Sequence, residues 1–108
     1  MIKKNILLID DSAIDNLIHE KLIRHHNIAR TVVQVKNGEE ALMLLREYHT
    51  GGIALPDVIL LDLDMPSMNG FAFIEALRTA NLPGKENIQL IIFSSSASYQ
   101  DQRQARQM

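Results

Sequence analysis

Val58-Ile59-Leu60-Leu61-Asp62, followed at once by Leu63-Asp64-Met65-Pro66, is the stretch on which the fold turns. A short run of Ile, Leu and Val stops abruptly at an acid. A buried parallel strand reads this way when it delivers a side chain to the rim of a sheet. Ile6-Leu7-Leu8-Ile9 repeats the pattern and ends on a pair, Asp10-Asp11. A further apolar strand, Ile88 to Phe93, ends in Ser94-Ser95-Ser96, and Thr31 to Val35, β-branched and bounded by Asn37-Gly38, makes another.

The segments between these strands read as helices. Ser12 to His26 carries Ile14, Leu17, Ile18 and Leu22 at helical spacing, with Ser12 as N-cap and Asp15 in the first turn. Glu39 to His49 offers Ala41, Leu42, Leu45 and Tyr48 as an inner stripe, and Gly51-Gly52 ends it. Gly70 opens a third helix, with Phe71, Ile74 and Leu77 or Leu82 expected inward and Pro83-Gly84 beyond. The polar stretch from Tyr99 to Met108 reads as the start of a fourth. Strand and helix alternate throughout, which predicts an α/β domain with a parallel sheet and right-handed crossovers.

Composition narrows the function. The 108 residues suit one domain, and 46% apolar with 22% charged residues is ordinary for a globular chain. A net charge of -2 without any basic stripe speaks against nucleic acid. Without cysteine there is no disulfide framework and no thiolate chemistry. No run reaches membrane-spanning length and the first apolar run is too short for a signal peptide, so a cytoplasmic domain without membrane contact is expected. No glycine loop for ATP phosphates is present, and His19, His25, His26 and His49 are expected on wet helix faces or ends, with no zinc spacing among them.

The acids carry the chemistry. Taken singly, Asp10, Asp11 or Asp62 could simply cap the turn after its strand. Two strands ending in acids, one with an adjacent pair, make that the weaker account. In a doubly wound sheet of order 2-1-3-4, strands one and three are neighbours whose connections leave in opposite directions. Ligands bind in the crevice at their carboxyl ends. Acids gathered there repel each other and either raise one another's pKa or recruit a cation. A cation held by oxygen ligands beside a spare carboxylate is a place to handle phosphate. Ser94 follows strand four and can reach a group attached to Asp62. Asp64 reads either as a solvated loop acid or as a backbone carbonyl donor to the ion. Pro66 and Gly70 read as loop geometry, and Met65 and Met68 as packing or loop contacts.

Strand-Asp-Asp, then strand-Asp-x-x-Met-Pro-x-Met-x-Gly, then strand-Ser, resembles the receiver domain of two-component response regulators. The likeness runs from Ile2 to about Tyr99 and supplies the flavodoxin-like order 2-1-3-4. It implies that Asp62 accepts phosphate from a phosphohistidine of a sensor histidine kinase or histidine phosphotransfer protein. By the same match Asp10, Asp11, Asp62 and the Asp64 carbonyl serve Mg²⁺, Ser94 is the switch hydroxyl, and Asp64 and Ser96 tune phosphoryl lifetime. Such a domain is no enzyme beyond phosphorylating and dephosphorylating itself.

One departure from the family is large. Receivers continue with a fifth strand ending in Lys-Pro and a fifth helix, whereas this sequence stops at Met108, and Lys3, Lys4, Lys21, Lys36 and Lys85 all precede Ser94. The expectation is a receiver over residues 1–108 that lacks its C-terminal part. Leu90 to Phe93 would then be an exposed apolar edge, which predicts a homodimer or larger species through the fourth strand. The rival from another class is a haloacid-dehalogenase-type phosphatase, with Asp62 as nucleophile and Asp64 as acid/base. Against it, that family's acidic pair follows the nucleophile, while Asp10-Asp11 precedes it.

Overall fold

The computed structural model describes residues 3–63 and 70–93. Along the chain these form β1 (Lys4–Ile9), α1 (Ala13–His25), β2 (Ala29–Val35), α2 (Gly38–Thr50), β3 (Val58–Asp62), α3 (Gly70–Thr79), a 3-10 turn (Lys85–Asn87) and β4 (Gln89–Phe93). All strand pairs are parallel and the order is β2-β1-β3-β4, the expected doubly wound arrangement. Ile9 pairs with Leu61, so the next residues, Asp10 and Asp62, leave neighbouring strands side by side. Asp62 in turn pairs with Phe93, the last residue of β4.

Local chemistry sets the element ends. The Ser12 hydroxyl accepts the Asp15 N–H at 3.2 Å and starts α1. Asn37 does the same for α2, accepting from the Glu40 N–H at 2.8 Å. After α1 the chain turns through Asn27 at φ 55°, a left-handed conformation that asparagine tolerates. Lys85 closes the far end of α3, where its ammonium donates to the carbonyls of Leu77 and Ala80 at 3.1 and 2.6 Å. At the amino edge of the sheet, Asp57 ties three strands. It accepts the Asn5 N–H on its carboxylate at 2.8 Å, donates its own N–H to the Asn5 carbonyl and accepts from Gln89 on its carbonyl.

Alternation along each strand separates two faces. Leu7, Ile9, Ile59 and Leu61 point to one side, where Ala41, Leu42 and Leu45 of α2, Phe73 of α3 and Leu82 complete the buried core. Ile6 and Leu8, equally buried, point to the α1 side.

Two expectations need correction. Phe71 is not an inward residue: it is 37% exposed, and Phe73, fully buried, takes the inner place. The reason is register, because a helix starting at Gly70 puts 70, 73, 74 and 77 on one face and turns 71 away. The apolar spacing of α1 is real but faces outward, with Ile14, Leu17, Ile18 and Leu22 each about half exposed or more. The side turned to the sheet carries Asn16 and His19 instead. His19 is thus not a wet-face histidine. Its ring meets Phe93 edge-on at 4.8 Å between centroids, and its Nδ1 is buried. His25, His26 and His49 are exposed as expected.

Among the described residues β4 pairs with β3 alone, and Ile91 on it is exposed. No helix among them is long and apolar enough to cross a membrane.

Candidate functional site

Strand ends and one helix start converge at the carboxyl edge of β1 and β3. Asp10, Asp11 and Asp62 offer carboxylate oxygens that all lie within 4.8 Å of one another. Asp10 and Asp62 are buried, while Asp11 faces solvent. This is the set the sequence analysis brought together. Asp64 and Ser94, expected beside these acids, lie outside the described residues, as do Met65, Pro66, Met68, Ser96 and the stretch from Tyr99 onward.

The electrostatics are those of a site that wants a positive charge. Asp10 is 1% exposed. Burial pushes its carboxyl up from 3.8 to about 7, against the Ser12 N–H that favours the ionised form, with the negative charges of Asp62 and Asp15 adding to the rise. One Asp10 oxygen accepts that Ser12 N–H at 2.9 Å. The other, Oδ2, is buried without a hydrogen-bond partner among the described residues. A proton bridging Asp10 and Asp62, or a cation between them, would relieve both the repulsion and the unpaired oxygen. Hard carboxylate oxygens, one of them on solvent-facing Asp11, fit Mg²⁺, which retains several waters when bound.

Two residues outside the acid set shape it. Gly70 begins α3 hard against the end of β3: its N–H donates to the Leu63 carbonyl at 3.0 Å. A Cβ there would stand 2.7 Å from the Leu63 Cα and 3.2 Å from the Asp62 carbonyl oxygen, so only glycine permits this approach. Sequence reading placed Gly70 as loop geometry but gave no distance. Asn16 was passed over altogether. It is 2% exposed, and its side-chain amide donates to the carbonyls of Asp10 at 3.0 Å and Val35 at 3.4 Å. Its spacing gave no signal, because the residues three and four away from it are Ser12, Ala13, His19 and Glu20.

Comparison with known proteins agrees with this geometry. The sequence model of the response regulator receiver domain matches residues 6–108. Two-component response regulator 24 of Arabidopsis thaliana is 39% identical over 83 residues, which cover 77% of this chain and 55% of that protein. Among solved structures, a two-component response regulator from Cytophaga hutchinsonii superposes with a TM-score of 0.84 at 30% identity, covering 95% of this chain and 77% of that one. The phosphorylated cyanobacterial phytochrome response regulator RcpA gives 0.77 at 25% identity, over 97% of this chain and 74% of its own. The chain spans about half the length of the curated relative and three quarters of each solved chain. The chain belongs to the response regulator receiver domain family, the signalling domains of two-component systems.

Proposed function

We propose that this receiver takes a phosphoryl group on Asp62 from a phosphohistidine of a sensor histidine kinase or histidine phosphotransfer protein, with Mg²⁺ at Asp10, Asp11 and Asp62. The convergence of these three acids at the strand ends carries the reading. An Asp62 oxygen attacks the phosphorus, the P–N bond to the donor imidazole breaks, and the imidazole leaves with the bonding pair. Asp62 becomes an acyl phosphate. Bound Mg²⁺ would supply charge neutralisation for the phosphoryl oxygens. Asp11, on the solvent side, and Asp10, beneath, would hold that charge close to Asp62. The Asp64 carbonyl is proposed as a further ligand and Ser94 as the hydroxyl that answers the phosphoryl group, with Asp64 and Ser96 tuning its lifetime. RcpA, a relative of this chain, has been solved phosphorylated, which supports the same chemistry here.

Acetyl phosphate with Mg²⁺ should label the protein once, and Asp62→Asn should abolish the label. Undiminished labelling of the asparagine variant, or repeated hydrolysis of phosphomonoesters, would overturn the assignment. The second outcome is the one a haloacid-dehalogenase-type phosphatase would give.

A further inference from the structure

Asn16 has no place in a purely apolar account of α1. Among the described residues it is the one buried polar side chain without a charge, beside Asp10 and Asp62. Its Nδ2 reaches the Asp10 carbonyl at 3.0 Å and the Val35 carbonyl at 3.4 Å. These two carbonyls end β1 and β2, and the Val35 carbonyl also accepts the Asp10 N–H at 3.2 Å. The amide therefore closes a small polar ring that ties the ends of two strands to the first turns of a helix. Its own Oδ1 is buried without a partner among the described residues. An unpaired buried oxygen is a cost that an apolar side chain of the same size would avoid.

What the amide grips explains why it is worth having. The Asp10 carbonyl belongs to the peptide group that joins Asp10 to Asp11. Fixing that peptide plane fixes the directions in which both carboxylates leave the backbone. The Ser12 N–H holds one Asp10 oxygen from the other side. Between them, Asn16 and Ser12 determine where the acid pair points.

We propose that Asn16 is a positioning residue for the cation site: through the Asp10 carbonyl it sets Asp10 and Asp11 in the geometry that binds Mg²⁺ beside Asp62. This rests on the reading of the acid cluster as a cation and phosphoryl site. Residues that hydrogen-bond behind metal ligands typically change metal affinity by about 10–100-fold when removed.

The test uses Asn16→Leu, which keeps the branching at Cγ without the donors though it is bulkier, and Asn16→Ser, which is small and polar but too short to reach both carbonyls. Mg²⁺ is titrated while backbone amide resonances are followed, and melting temperatures are measured in chelator. Either variant that folds should show a Mg²⁺ midpoint shifted up by about tenfold, with the wild-type resonance pattern kept away from the strand ends. An unchanged midpoint in a folded variant, with only the melting temperature lowered, overturns the proposal and leaves Asn16 a packing residue. Asp11→Asn runs in parallel. If it weakens Mg²⁺ while the Asn16 variants do not, positioning alone fails. If wild type shows no Mg²⁺ response at all, the cation reading falls and takes this proposal with it.

Discussion

The two faces of the sheet are built on different terms. Beneath α2 and α3 the packing is apolar and closed: Leu7, Ile9, Ala41, Leu45, Ile59, Leu61 and Phe73 are all essentially inaccessible. Beneath α1 the sheet offers Ile6 and Leu8, but the helix answers with Asn16 and His19 and turns Ile14, Leu17, Ile18 and Leu22 away. Even its ties to β2 are polar at the rim, where Glu20 bridges Arg24 and Gln34 at 2.8 and 2.7 Å. One face supplies stability through dry packing. The other sets polar groups directly behind the acids, alongside the buried Ile6 and Leu8.

Truncating one residue on each side gives the largest expected contrast. Leu45→Ala opens a cavity in the closed face and should cost about 3 kcal/mol in urea unfolding. Leu17→Ala removes a side chain already half exposed and should stay within about 0.5 kcal/mol. Equal losses would show that the outward α1 stripe is covered as closely as the core and would break the comparison.

The next effect belongs to Asp10, which stands where those polar groups meet the site. Between about pH 4 and 7 the folded chain keeps a proton on Asp10 that the unfolded chain has released. Stability attributable to this group therefore falls as pH rises across that window and levels off above it, by up to about 4 kcal/mol for a shift of this size. Asp10→Asn cannot ionise, so its unfolding free energy in chelator should exceed wild type by a margin that grows from pH 4 to pH 7. Parallel curves for the two proteins would mean that Asp10 is not held protonated, and the electrostatic half of the contrast would go.

How far these features were readable before the fold was known follows the same division. The strands, the acid triad and the inner stripe of α2 were legible because burial on both faces leaves short apolar runs, and because residues at i, i+3 and i+4 share a helix face. The apolar spacing of α1 was visible too, but spacing does not say which stripe faces the sheet, and here the less apolar stripe does. Phe71 misled for a related cause: Phe71 shares a helix face with Ile74 and Phe73 shares one with Leu77, so both stripes of α3 are apolar and spacing does not say which faces the sheet. Asn16 was unreadable, since its role depends on two carbonyls from different strands that sequence does not place together.

The smallest effect expected is also the one that tests what the outward α1 stripe and the outer strand are for. β4 offers unpaired backbone groups on its outer side among the described residues, and Ile91 on it is 43% exposed. No proline or lysine lies within Gln89–Phe93 to blunt the strand. Parallel or antiparallel pairing with a second copy would satisfy those groups and bury Ile91, so we propose that the chain self-associates through β4. Each pair of backbone hydrogen bonds contributes little net free energy, because water already satisfies the exposed groups. The association should therefore be weak, with the mass from light scattering rising over roughly the micromolar to millimolar range. Ile91→Lys should hold the protein monomeric there, by placing a charge on the strand that must pair. Leu17→Lys, on the helix side, should leave the concentration dependence unchanged. A constant monomer mass for wild type would remove β4 as an interface. Loss of association in Leu17→Lys alone would move it to the α1 stripe and make that face the one that holds two copies together.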